Sequence, residues 1–198
     1  MRQSLVVMLK EPRPGKVKTR LGADIGMVQA AWWFRHQSAR LLRAISDPRW
    51  QTVLALSPDR EGMTSRIWPA HLARIPQGGG NLGARMMRAF AAMPPGPTLI
   101  IGADIPAIGR THITRAFAAL GAHDAVLGPA SDGGYWLIGL KRSRAMPMSL
   151  LQGVRWSTSH ALDDTMASMA GLTISLTDTL DDVDNAHDLA RLSARQRH

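Results

Sequence analysis

The chain has 198 residues, 45% of them apolar and 20% charged, with no cysteine and a formal net charge of +9. This length suits one domain, spanning residues 1–198, with a substantial core. The lack of cysteine excludes disulfides and thiolate metal sites, and a cytoplasmic location is the default expectation.

No apolar stretch approaches the ~18 residues that crossing a bilayer requires. The seven uncharged residues after Arg2, "QSLVVML", are too few for a secretory signal. The arginines are scattered, no dense basic run exists and aromatics are only 5%. This argues against nucleic acid as the main ligand, whereas smaller polyanions such as nucleotides fit the same charge.

In chain order, Leu5–Leu9 reads as a buried strand, followed at once by "KEPRPGKVKTRLG". Lys10, Lys16, Lys18 and Lys141 are the only lysines, and three of them fall within nine positions here. Gly15 and Gly22 let the backbone approach a ligand, while Lys16, Lys18 and Arg20 offer cations to a diphosphate or triphosphate. The spacing is not that of a Walker loop, and a solvated basic loop would account for the same residues.

A helix over Ile25–Ile45, with Trp32 and Trp33 as core, leads to a strand at Thr52–Leu56. "QGGGNLG", Gln77 to Gly83, precedes a helix over Leu82–Met93 that Asn81 can cap, and Gln77 is placed to offer an amide to a nucleobase. The strand Thr98–Ile101 runs into "GADIP". An acid just beyond a strand end, Asp104, suits a divalent metal, or else serves the turn. A helix at Thr111–Leu120 and a strand at Ala125–Leu127 lead to Asp132, Gly133 and Gly134. These three either let a ligand approach or form a hairpin turn before the strand Tyr135–Leu140.

A helix over Ser159–Ala170 and a strand at Thr173–Leu176 precede "DTLDDVDNAHDL". This acidic cluster holds Asp178, Asp181, Asp182, Asp184 and Asp188. One of these acids facing Asp104 would complete a metal site, and periodicity does not choose which. A final helix, Ala186–Ala194, is capped by Asn185 with Asp188 at the capping-box position. The histidines lack metal-ligand spacing, and neither G-x-S-x-G nor H-E-x-x-H occurs. Strands alternating with helices predict a three-layer α/β/α sandwich around a mostly parallel sheet, with ligands beyond the carboxyl ends of the strands.

Read together, these segments resemble the small bacterial GT-A-fold transferases known as domain of unknown function 2064. "KEPRPGKVKTRLG", "QGGGNLGARM", "GADIP", "GPASDGGYWLIGL", "VRWSTSHALDDT" and "DDVDNAHDL" stand in the family's order along nearly the whole chain. Asn81 replaces an acid of the pattern, Ala103 a small hydroxyl residue, and "NAHD" the family's T-P-E-D. The resemblance implies a GT-A, nucleotide-diphospho-sugar transferase fold. It also implies that Lys10, Gly15, Lys18, Arg20, Gln77, Gly78 and Gly83 bind the nucleotide, and that Asp132, Gly133, Gly134 and Tyr135 lie near the acceptor. Asp104 and Asp184 would share Mg²⁺ (or Mn²⁺), with Lys18, Arg20 and Asp104 carrying the chemistry.

The expected activity is metal-dependent transfer from a nucleotide or nucleotide sugar to a small-molecule acceptor, with no nucleic-acid or membrane partner. Nucleotidyl transfer onto a phosphate or carboxylate is the alternative chemistry, and a non-catalytic nucleotide or metabolite sensor is the alternative class. Two carboxylates meeting at an empty metal site should repel. On that basis D104N is expected to keep or gain stability, and alanine at Lys18 or Arg20 to leave the fold intact.

Overall fold

The apolar run after Arg2 forms the central strand of the sheet, β1 (Gln3–Lys10). In the computed structural model, which describes residues 2–195, β1 pairs in parallel with β2 (Trp50–Ser57) and with β4 (Thr98–Ile101). Its side chains alternate between two cores. Leu5, Val7 and Leu9 enter one cluster with Phe34, Leu41 and Phe117, while Val6 enters the other with Met86, Phe90 and Ile138. Burial on both faces explains why the strand reads as a continuous apolar run.

Seven strands lie in the order β3-β2-β1-β4-β6-β5-β7, adding β3 (Ala73–Pro76), β5 (Ala125–Pro129), β6 (Tyr135–Leu140) and β7 (Ile174–Leu176). Among the described strands only β6 runs antiparallel to its neighbours, β4 and β5. Its first residue, Tyr135, therefore lies at the edge where β1 and β4 end. One face is covered by α2 (Met27–Ala44) and α5 (Arg110–Ala122), the other by α4 (Leu82–Ala92) and α6 (Ala161–Ser168). This is the expected three-layer α/β/α sandwich with a mostly parallel sheet.

Two features differ from the sequence reading. The helix expected at Ile25–Ile45 is α2, but a short helix that was not anticipated, α1 (Thr19–Ile25), precedes it, ended by Gly26 at φ 97°, a backbone that favours glycine. A short helix, α3 (Asp59–Thr64), and the edge strand β3 were not anticipated. Neither is periodic enough to stand out, and β3 contains no fully buried residue.

The segment after β7 positions the site. It crosses back along the carboxyl edge of the sheet, held by backbone hydrogen bonds. Thr177 N–H donates to Leu127 O (2.9 Å), Leu180 N–H to Pro129 O (3.1 Å) and Val183 N–H to Asp104 O (3.3 Å). It then enters α7 (Ala186–Arg195), whose start is a reciprocal cap. Asn185 Oδ1 accepts from Asp188 N–H at 3.0 Å, and Asp188 Oδ2 accepts from Asn185 N–H at 3.3 Å.

Candidate active site

The crossing segment delivers its acids to the end of β4. Asp182 and Asp184 flank the buried Val183, and in an extended chain residues two apart face the same way. Asp104, Asp182 and Asp184 each present an oxygen within 4.8 Å of the others. Asp104 and Asp184 are thus brought together, and Asp182 joins them as a residue the sequence reading did not single out. The D-x-D spacing around an apolar residue was the available signal.

Lys18 occupies the middle of this trio. Its Nζ lies 2.6 Å from Asp184 Oδ1, 2.7 Å from Asp104 Oδ2 and 3.5 Å from Asp182 Oδ2, and its side chain is only 7% exposed. The backbone there is left-handed (φ 45°, ψ 49°), a conformation uncommon outside glycine, as the chain turns from the opening loop into α1. Burial disfavours the ammonium, but the Asp104 charge and its hydrogen bond, joined by Asp184, outweigh it and raise the pKa of Lys18. Arg20, 77% exposed at the mouth, donates to the other oxygen of Asp184 at 3.2 Å. Burial, then the neighbouring Asp104 and Asp184 charges, push the Asp182 carboxyl up to about 7 despite Lys18. Asp184 moves the other way: burial raises it, but the Lys18 hydrogen bond and charge, with Arg20, hold it below the usual carboxylate range.

This overturns the expectation of a strained, uncompensated acidic pair. An ammonium already sits among the carboxylates, so it is Lys18 that would lose partners if Asp104 were neutralised. It also corrects the view of Lys18 as a solvated loop residue whose loss would leave stability untouched.

The trio forms one end of a cavity of about 1020 Å³ along the carboxyl edge. Lys10, Lys16, Arg20, Gln77, Asp132, Gly134 and Tyr135 also line it. Three of the four lysines therefore face one cavity with Lys18 at its floor, while Lys141 lies elsewhere and donates to Gly121 O at 2.9 Å. Arg85, Ser157 and Thr158 line the cavity too and were not anticipated.

Several expected ligand residues have structural tasks. Gln77, 4% exposed, donates both amide hydrogens to backbone carbonyls, Ala55 O at 2.9 Å and Leu9 O at 3.0 Å, so its NH₂ is committed to bracing β1 and β2. Gly78, outside the cavity wall, turns at φ 72° beneath Arg88. Gly83 lies against Trp156 and Leu151, where a Cβ would meet the ring at 2.8 Å. Gly15 is an exposed turn residue off the cavity wall. Gly133 turns at φ 83° with Ser159 so close that a Cβ would come within 2.2 Å of its carbonyl oxygen. That contact fixes the turn from which Asp132 and Gly134 reach the cavity. The Tyr135 hydroxyl bonds Thr165 at 3.3 Å, and burial raises its pKa.

Three oxygens this close, drawn from three carboxylates, match the hard donor set that Mg²⁺ or Mn²⁺ takes. The residues present fit such an ion once the Lys18 ammonium has moved off them.

A mostly parallel seven-stranded sheet thus carries a basic loop after its first strand and, at its carboxyl edge, an acidic trio built from Asp104 after β4 and from Asp182 and Asp184 after β7. The chain belongs to the family described as uncharacterized protein conserved in bacteria (DUF2064), whose model matches residues 40–158. No curated protein matches it in sequence. It is similar to a candidate nucleotide-diphospho-sugar transferase from Desulfovibrio desulfuricans G20, at 30% identity and a TM-score of 0.88, over 100% of this chain and 89% of the other. More distant structures share the fold. One is a 4-diphosphocytidyl-2C-methyl-D-erythritol synthase from Anaerococcus prevotii DSM 20548 (9% identity, TM-score 0.62, 100% and 99% covered). Another is Rv0371C from Mycobacterium tuberculosis H37Rv in complex with manganese (13% identity, TM-score 0.56, 97% and 98% covered).

Proposed function

We propose that this chain is a divalent-metal-dependent transferase of the nucleotide-diphospho-sugar transferase kind, moving a glycosyl group from a nucleotide sugar to a small-molecule acceptor. One observation carries the reading. Three carboxylates that fit a hard cation and a loop rich in lysine line the same cavity, as a metal-bound phosphate substrate requires. Asp104, Asp182 and Asp184 would hold Mg²⁺ or Mn²⁺, which when bound supplies Lewis-acid neutralisation of phosphate charge.

The chain's own residues do the rest. Lys10, Lys16 and Arg20 draw the phosphates to the mouth, and Arg20 keeps Asp184 oriented. The turn carrying Asp132 and Gly134 faces the acceptor side. The acceptor hydroxyl oxygen attacks the sugar carbon and gives up its proton to water, the bond from that carbon to the diphosphate oxygen breaks with its electron pair going to that oxygen, and a nucleoside diphosphate leaves. Catalysis of this kind is mainly positioning plus electrostatic stabilisation.

The density of cations favours a second chemistry, in which an acceptor phosphate or carboxylate attacks the α-phosphorus of a nucleoside triphosphate and pyrophosphate leaves. One assay separates the two. The protein is incubated with Mg²⁺ or Mn²⁺, a panel of nucleotide sugars and triphosphates, and small sugar, phosphate and carboxylate acceptors. Release of nucleoside diphosphate supports glycosyl transfer, and release of pyrophosphate supports the second chemistry. Binding without turnover of any substrate would instead make the protein a sensor.

A further inference from the structure

Lys18 poses a problem for the metal site. Its Nζ lies within 2.6–2.7 Å of one oxygen each of Asp104 and Asp184, two of the carboxylates an ion would use, and the side chain is only 7% exposed. A metal at ~2.0–2.1 Å from those same oxygens would stand almost against the ammonium, so both cations cannot hold them at once. Resting on the transferase reading above, we propose that Lys18 is the resident cation of the acidic trio. It yields its place only to a metal–polyphosphate complex. The substrate of this site is accordingly the metal complex of its nucleotide, rather than a free nucleotide that joins a metal already bound.

The charges explain why the exchange needs both components. A bare divalent ion arriving alone must evict Lys18 from three carboxylates with no anion to receive it. A free polyphosphate arriving alone meets an acidic floor whose one buried ammonium is already engaged. When the two arrive together, the metal takes over the carboxylates and the phosphate oxygens take over the ammonium, leaving no buried charge without a partner. The local geometry suits such a move. Lysine is a compact charge on a flexible stem, whereas the neighbouring Arg20 is a planar fork that can stay on the outer oxygen of Asp184 throughout.

The test uses Mn²⁺ alone, with free ion followed by electron paramagnetic resonance. Binding to the nucleotide-free protein should be weak, and Lys18→Met should strengthen it about tenfold, at the low end of ordinary coupling between two ligands. Adding D104N to Lys18→Met should remove that gain, which locates the ion. Lys18→Gly, which accepts the left-handed backbone, repeats the measurement should the methionine variant fail to fold. In a thermal melt of the parent protein, Mn²⁺ with inorganic triphosphate should stabilise, and neither should do so alone. Parent protein that binds Mn²⁺ as tightly as Lys18→Met overturns the inference and leaves the transferase reading standing. Failure of every form to bind Mn²⁺, with triphosphate or without it, overturns both.

Discussion

At the level of single residues, Lys18 decides how the site responds to mutation. Its ammonium keeps partners on three carboxylates from a nearly sealed position, so losing Asp104 leaves a buried cation with a poorer set of acceptors. A charged hydrogen bond of this kind is worth about 2 kcal/mol. D104N, measured by urea unfolding in chelator, should therefore be destabilised by about that amount. A variant as stable as the parent or more so would restore the picture of two clashing acids. Arg20 differs, because it is exposed and makes a single surface ion pair, which usually contributes less than ~1 kcal/mol. The sequence pointed to Lys18, Arg20 and Asp104 because loop cations and a strand-end acid are local signals, whereas Asp184 stood out from its acidic neighbours only through the family resemblance. It did not reveal that the cation and the acids were partners, because a contact between the opening loop and residue 184 depends on the path of the chain after β7.

At the level of elements, the glycines show the same division. β1, β4, β5 and β6 were legible because buried strands read as apolar runs, and α4 because Asn81 caps it, its Oδ1 accepting from Ala84 N–H at 2.9 Å. Gly83 was legible as a motif but not in its role. Inside a helix, glycine is ordinarily about 1 kcal/mol worse than alanine, so G83A should stabilise α4 if nothing else mattered. Here a Cβ would lie 2.8 Å from the Trp156 ring and 3.0 Å from the Leu151 carbonyl, and that carbonyl belongs to the backbone of the loop that leads to Ser157. The glycine lets the loop lie directly on the helix. G83A should thus destabilise despite its better propensity, by about 1–3 kcal/mol as overpacked sites do, with a matching fall in Tm. A rise in Tm would mean that the loop adjusts freely and does not define the cavity wall.

At the level of the whole molecule, part of the positive charge, +9 in all, has an account in the fold itself. Several of the arginines are internal braces. Arg74 donates to the carbonyls of Gly62, Met63, Ser65 and Trp68, and Arg142 to those of Pro94 and Met93. Arg88 holds Gln77 and Gly79, and Arg49, Arg115, Arg144 and Arg155 pair with aspartates. Arginine fits these sites because its fork satisfies several carbonyls or both carboxylate oxygens at once.

A second group of cations, Lys10, Lys16 and Arg20, lines the cavity, a footprint a few phosphates wide rather than a stripe. This distribution predicts two different salt responses. A protein touching 6–10 phosphates of a duplex loses roughly 10³–10⁵ in affinity between 50 and 200 mM salt, and on the cavity reading this chain should not bind a duplex measurably at the upper value. Its affinity for a metal–nucleotide complex, held by close contacts inside a cavity, should fall only several-fold over the same range, since partly buried pairs are screened less than surface ones. R20A should weaken that complex while changing Tm little, because on the proposed function Arg20 draws the phosphates in, and as an exposed residue it contributes little to the fold. Fluorescence anisotropy with a labelled duplex and with a labelled nucleotide, each across a salt series, measures both responses. Tight duplex binding at 200 mM salt, or an R20A protein that holds nucleotide as the parent does, would show that the basic residues serve a surface rather than the cavity.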